Sequence, residues 1–117
     1  MKIQTIVDLL HAEVLCGEAN LENEVYSACG SDMMSDVLAY VKEQAVLLTG
    51  LVNPQVIRTA EMMDMRCVVF VRGKMPSADM IALAEDSGIV LLSTAERMFV
   101  ACGKLYARGL AGEDELS

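Results

Sequence analysis

Three apolar runs, "AVLLTG" at 45–50, "RCVVFVRG" at 66–73 and "IVLLST" at 89–94, constrain this chain more than any other feature. Their cores do not alternate polar with apolar positions. Each therefore reads as a strand covered on both faces, the habit of parallel strands that lie under helices. Helical patterns separate the runs, and the connections are short. From Gly30 onward this alternation implies right-handed crossovers and predicts an α/β fold, a single-domain layered sandwich of about five mostly parallel strands flanked by helices.

The remaining elements follow from periodicity and capping. "IQTIVDLL" puts Ile3, Ile6, Val7 and Leu10 on one helical face, "AEVLCG" and "VYSACG" read as the first two strands, and the polar "EANLENE" between them reads as a loop. Ser31 or Asp32 is the expected N-cap of a helix with Met34, Val37, Leu38 and Val41 on one side. Asn53-Pro54 starts a helix reaching about Asp64, because Asn caps free amides and Pro at the first helical position has none to satisfy. Ser77 caps the next helix, whose Met80, Ile81 and Ala84 point inward and which Gly88 closes. Ser93 with Glu96 makes a capping-box pattern before a last helix that carries Phe99 and Leu105 and is interrupted at Gly103. The chain is expected to fray from Gly109. A single domain over 1–110 and an acidic flexible tail over 111–117, with Glu113, Asp114 and Glu115, complete the expectation.

Composition removes several functions. A net charge of -8 and a pI near 4.5 argue against nucleic acid as a partner. Asp8, His11 and Glu13 interrupt the apolar start, so neither a signal peptide nor a membrane span is read there, and the expected location is the cytoplasm. Cys16, Cys29, Cys67 and Cys102 contain no C-x-x-C pair, and His11 is the lone histidine, which favours reduced, buried thiols over a zinc site or disulfides. Aromatics are 4% of residues and Met occurs nine times, so the core is aliphatic and adaptable. Ser31, Ser35, Ser93 and Thr94 stand in cap-like positions with no histidine or nucleophile elbow beside them, and Asp32 with Asp36 reads as a cap plus a solvated side chain. No catalytic constellation emerges, and neither a metal nor a cofactor is expected.

What remains is a rim. "GSD" at 30–32, "TGLVN" at 49–53 and "STAE" at 93–96 follow strands and precede helices, so a parallel sheet gathers them at its carboxyl end, where free amides and helix dipoles favour an anion. Neither a Walker-type nor a G-x-G-x-x-G loop is present. Arg58, Arg66, Arg72 and Lys74 supply four of the nine basic residues; Arg72 and Lys74 are placed to face the same crevice, while the competing role for this group is to neutralise Glu61, Asp64 or Asp79. The candidate ligand residues are Ser31, Asp32, Thr49, Gly50, Asn53, Arg72, Gly73, Lys74, Ser93 and Thr94. Most methionines read as core, but Met62 and Met63 are adjacent on a helix and cannot both face inward, so one is a candidate subunit contact.

The segments "GSDMMSDVLAYV", "LLTGLVNPQVIRTAEMMDMRCVVFVRGKMP" and "ALAEDSGIVLLST", taken in order, resemble the DRTGG domain family, which is also similar to the N-terminal domain of HPr kinase/phosphorylase. Where the family shows D-R this chain has Asn53-Pro54, and where it shows T-G-G the chain has Val71-Arg72-Gly73 or Arg72-Gly73-Lys74. Gly73 and the backbone amides are what survives of that motif. Relatives of the module sit within phosphotransacetylases and between CBS domains of regulated pyrophosphatases, and stand-alone versions occur near iron hydrogenase and redox genes. The resemblance implies a non-catalytic regulatory or interaction module, homodimeric, sensing a small anionic ligand such as an adenine nucleotide. Two alternatives stay open: an accessory phosphotransfer or kinase-related protein, and a scaffold subunit of a redox or hydrogenase-linked assembly with a protein partner.

Overall fold

The computed structural model describes residues 1–40 and 44–112; Val41 and the acidic tail lie outside the described residues. The chain runs α1 (Ile3–Leu10), β1 (Glu13–Cys16), a 3-10 turn (Glu18–Asn20), β2 (Ser27–Gly30), α2 (Met34–Tyr40), β3 (Ala45–Thr49), α3 (Pro54–Met62), β4 (Cys67–Phe70), α4 (Ala78–Ser87), β5 (Val90–Ser93), α5 (Met98–Ala107) and β6 (Ala111–Gly112). The strands form one sheet in the order β1-β5-β4-β3-β2-β6. β2 through β5 are parallel neighbours and β1 closes one edge antiparallel to β5.

The three unalternating runs are the buried strands. Every residue of β3, β4 and β5 is buried. Leu47, Val68, Phe70 and Leu91 face Val37 of α2, Val56 and Ile57 of α3 and Met80 and Ala84 of α4. Val46, Leu48, Val69, Val90 and Leu92 face Ile3, Ile6 and Leu10 of α1 and Ala101 and Leu105 of α5. The product is three layers, with α2, α3 and α4 on one side of the sheet and α1 and α5 on the other. Asn53 and Ser77 cap α3 and α4, accepting from the amides of Gln55 at 2.8 Å and Met80 at 3.3 Å, with Pro54 at the first position of α3. Gly88 closes α4 in the left-handed region.

Several expectations need correction. α2 begins at Met34, after the expected cap; Leu38 is exposed, and the turn before the helix is held by Ser31 Oγ, which accepts from Met33 N at 3.0 Å. The capping box at Ser93 does not form. Ser93 Oγ instead donates to the Lys74 carbonyl at 2.8 Å and Thr94 Oγ1 to the Leu10 carbonyl at 2.7 Å, and α5 starts only at Met98. Ser93 Oγ is thus engaged by a neighbouring loop in place of a local cap, whereas Thr94 Oγ1 also accepts locally from Glu96 N at 3.2 Å. α5 also runs unbroken through Gly103. At the end of the chain Leu110 is buried and Ala111–Gly112 pair with β2 in place of the expected fraying, because β2 otherwise presents an open edge. No helix among the described residues is long and apolar enough to cross a membrane.

Gly17 is a tight point of the fold. Its φ is +89°, and a Cβ there would stand 2.8 Å from Val90 Cγ2 and 2.9 Å from Val90 Cα. The bulge in β1 leads directly into this contact. Gly17→Ala is expected to cost about 2–4 kcal/mol, the left-handed penalty plus a forced backbone shift. Urea unfolding measures it, and a loss under about 0.5 kcal/mol, the ordinary effect of a surface substitution, contradicts the packing described.

Candidate functional site

Because β2 to β5 run in one direction, their exits share one rim. The chain leaves β2, β3 and β4 toward helices on one face, but leaves β5 toward α5 on the other. The exits diverge there, and a cleft of about 850 Å³ opens between them. Gly30, Ser31 and Asp32 line it from the end of β2, Val71 and Arg72 from the end of β4, and Ala95, Arg97, Met98 and Phe99 from the segment after β5.

Asp32 organises one wall. Its Oδ1 accepts from Thr49 Oγ1 at 3.1 Å and from the Gly50 amide at 2.6 Å, and the same Thr49 hydroxyl accepts from Leu51 N at 3.1 Å. Thr49 is fully buried, so these bonds fix the turn after β3 without any ligand. Arg72, from the turn after β4, also lines the cleft, in a strained backbone: its φ is +59°, a left-handed region that costs a non-glycine residue about 1–2 kcal/mol. Two backbone hydrogen bonds hold it there, Arg72 N donating to the Glu96 carbonyl at 2.8 Å and Gly73 N to the Thr94 carbonyl at 2.8 Å. The guanidinium lies over Gly50, so closely that a Cβ at Gly50 would be 2.2 Å from its terminal nitrogen. Strain held in place by surrounding bonds is characteristic of binding sites.

The charges in the cleft are uneven. Arg66 pairs with Asp64 at 3.4 Å, so the neutralising role holds for that residue. Glu96, the acid nearest Arg97 in sequence, pairs with Lys104. Neither Arg72 nor Arg97 forms an ion pair among the described residues. Two arginines without an ion-pair partner among the described residues thus line a cleft on a protein of net charge -8.

Of the ten sequence-derived candidates, Ser31, Asp32 and Arg72 line the cleft, while Thr49 and Gly50 stand behind Asp32 and under Arg72. Gly73 completes the strained turn at φ +68°. Asn53 is engaged as a helix cap, and Ser93 and Thr94 are buried and bonded to backbone carbonyls. The Lys74 side chain is exposed and does not line the cleft. Arg97, Met98 and Phe99 also line the cleft, and the sequence hides them because the apparent cap at Ser93 puts them well inside a helix that in fact starts only at Met98. Among the described residues no cluster of histidine, cysteine and acidic side chains is arranged to hold a metal. Cys16, Cys67 and Cys102 are thiols outside any disulfide, and burial raises the pKa of each.

A family model described as the DRTGG domain matches residues 5–106. A solved structure, the CBS and DRTGG domains of the regulatory region of Clostridium perfringens pyrophosphatase complexed with its activator diadenosine tetraphosphate, is similar with a TM-score of 0.71 at 17% identity. The match covers 99% of this chain and 52% of that one, so the chain spans about half of the neighbour's length, and at this identity the likeness is one of fold. No curated protein matches the chain.

The contact between Gly50 and Arg72 has a measurable consequence. In Gly50→Ala the flexible guanidinium must swing away, while stability changes by less than about 1 kcal/mol because no backbone blocks the new methyl. Modification of Arg72 by phenylglyoxal, mapped by mass spectrometry, is expected to accelerate severalfold in the variant; an unchanged rate would mean that the side chain is not held over Gly50.

Proposed function

We propose that this chain, which belongs to the DRTGG domain family, is a regulatory module that binds a small anionic effector of the nucleotide class in the rim cleft and performs no chemistry on it. The observation that carries this reading is Arg72: an exposed guanidinium that lies over Gly50 and lines a cleft, borne on a strained turn whose backbone two hydrogen bonds hold, with no carboxylate partner among the described residues. A cation held at the cost of backbone strain and left unneutralised is prepared for an anion that arrives from outside. The neighbouring pyrophosphatase region, which contains CBS as well as DRTGG domains, is complexed with a nucleotide activator, and this supports the choice of ligand class. In this reading the protein works in the cytoplasm.

Calorimetry with ATP tests it. Saturable binding is expected, weakening as salt rises, and Arg72→Ala is expected to lower affinity roughly 10- to 150-fold, the worth of hydrogen bonds to a charged group. Absence of binding by the unaltered protein removes the nucleotide reading.

The module is further read as a homodimer. Met62, at the end of α3, is 73% exposed, whereas its neighbour Met63 packs against the core, as adjacent positions on a helix require. An unbranched apolar side chain left in water suits a repacking contact. Sedimentation velocity is expected to give a dimer that Met62→Glu dissociates; a monomer at micromolar concentration contradicts this.

A further inference from the structure

Phe99 is 88% exposed, although the chain has only two phenylalanines and the other, Phe70, is at the centre of the core. It stands in the first turn of α5, two residues beyond Arg97, and both line the same cleft as Arg72. An aromatic face beside two unpaired guanidinium groups offers an apolar platform and a cationic seat in one cavity. Asp32 adds discrimination. Its Oδ1 is engaged by Thr49 and Gly50, which leaves Oδ2 without a partner among the described residues, an acceptor that repels a bare polyanion and welcomes a hydroxyl or amino donor.

Resting on the cleft reading above, we infer that the site reads a nucleotide in two parts, with Phe99 as the stacking platform for the base and Arg72 with Arg97 as the seat for phosphate. Phe99 is then the residue that separates nucleotides from inorganic polyphosphates. The same chemistry gives a role to a side chain that stands in water, where it gains nothing from burial. It also assigns a role to the Arg97–Phe99 segment.

Calorimetry on the full chain with two probes, ATP and inorganic tripolyphosphate, tests this. ATP is expected to bind more tightly than tripolyphosphate. Phe99→Ala, at a position too exposed to endanger folding, is expected to lower ATP affinity roughly 5- to 150-fold, the range of base–aromatic stacking, with tripolyphosphate unchanged. Phe99→Trp is expected to restore ATP binding. Equal affinity for the two probes, or an equal loss of both in Phe99→Ala, overturns the platform while the anion cleft stands. If the unaltered protein binds neither probe, both readings fall. If Phe99→Ala leaves ATP binding intact but weakens self-association, Phe99 belongs to a protein contact and the inference is overturned.

Discussion

Burying β3, β4 and β5 on both faces leaves their backbone groups no water to turn to, so every amide and carbonyl in the middle of the sheet must pair with a neighbouring strand. From that requirement the rest follows. Strands covered on both sides need helices on both sides, and helices that return the chain to the same edge make the strands parallel. Polar chemistry is then confined to the strand ends. β2 through β5 bring four of those ends to one rim.

The rim becomes a cleft because one connection goes the other way. α2, α3 and α4 share a face, and α5 occupies the opposite one to reach β6 beyond β2. The segment after β5 therefore parts from its neighbours and carries Arg97 and Phe99 with it. Arg72 is positioned by bonds to that same segment, through the carbonyls of Thr94 and Glu96. Anything that moved the start of α5 would move Arg72 as well. Under the proposed regulatory reading, this coupling is the physical route from an occupied cleft to a shifted helix.

The strands and most helices were legible because their signals are local or periodic. Unbroken apolar runs gave β3, β4 and β5, and Asn53-Pro54 and Ser77 capped as side-chain chemistry dictates. Three of the failures share one cause, competition from partners distant in sequence. Asp32 and Ser93 look like caps, yet Asp32 bonds to the turn after β3 and Ser93 to the loop after β4. The two-residue β6 has no pattern of its own and exists because β2 offers an edge. Arg72 is legible as a cleft residue because it lies just beyond β4, whereas Arg97 and Phe99 sit at a helix start that the sequence places several residues too early.

An experimental structure of the protein with ATP soaked into its crystals tests the central claim most directly. The account predicts phosphate density between the guanidinium groups of Arg72 and Arg97, with Arg72 still in the left-handed backbone over Gly50. Density elsewhere on the molecule, or an Arg72 found paired with a carboxylate of the protein itself, would contradict it.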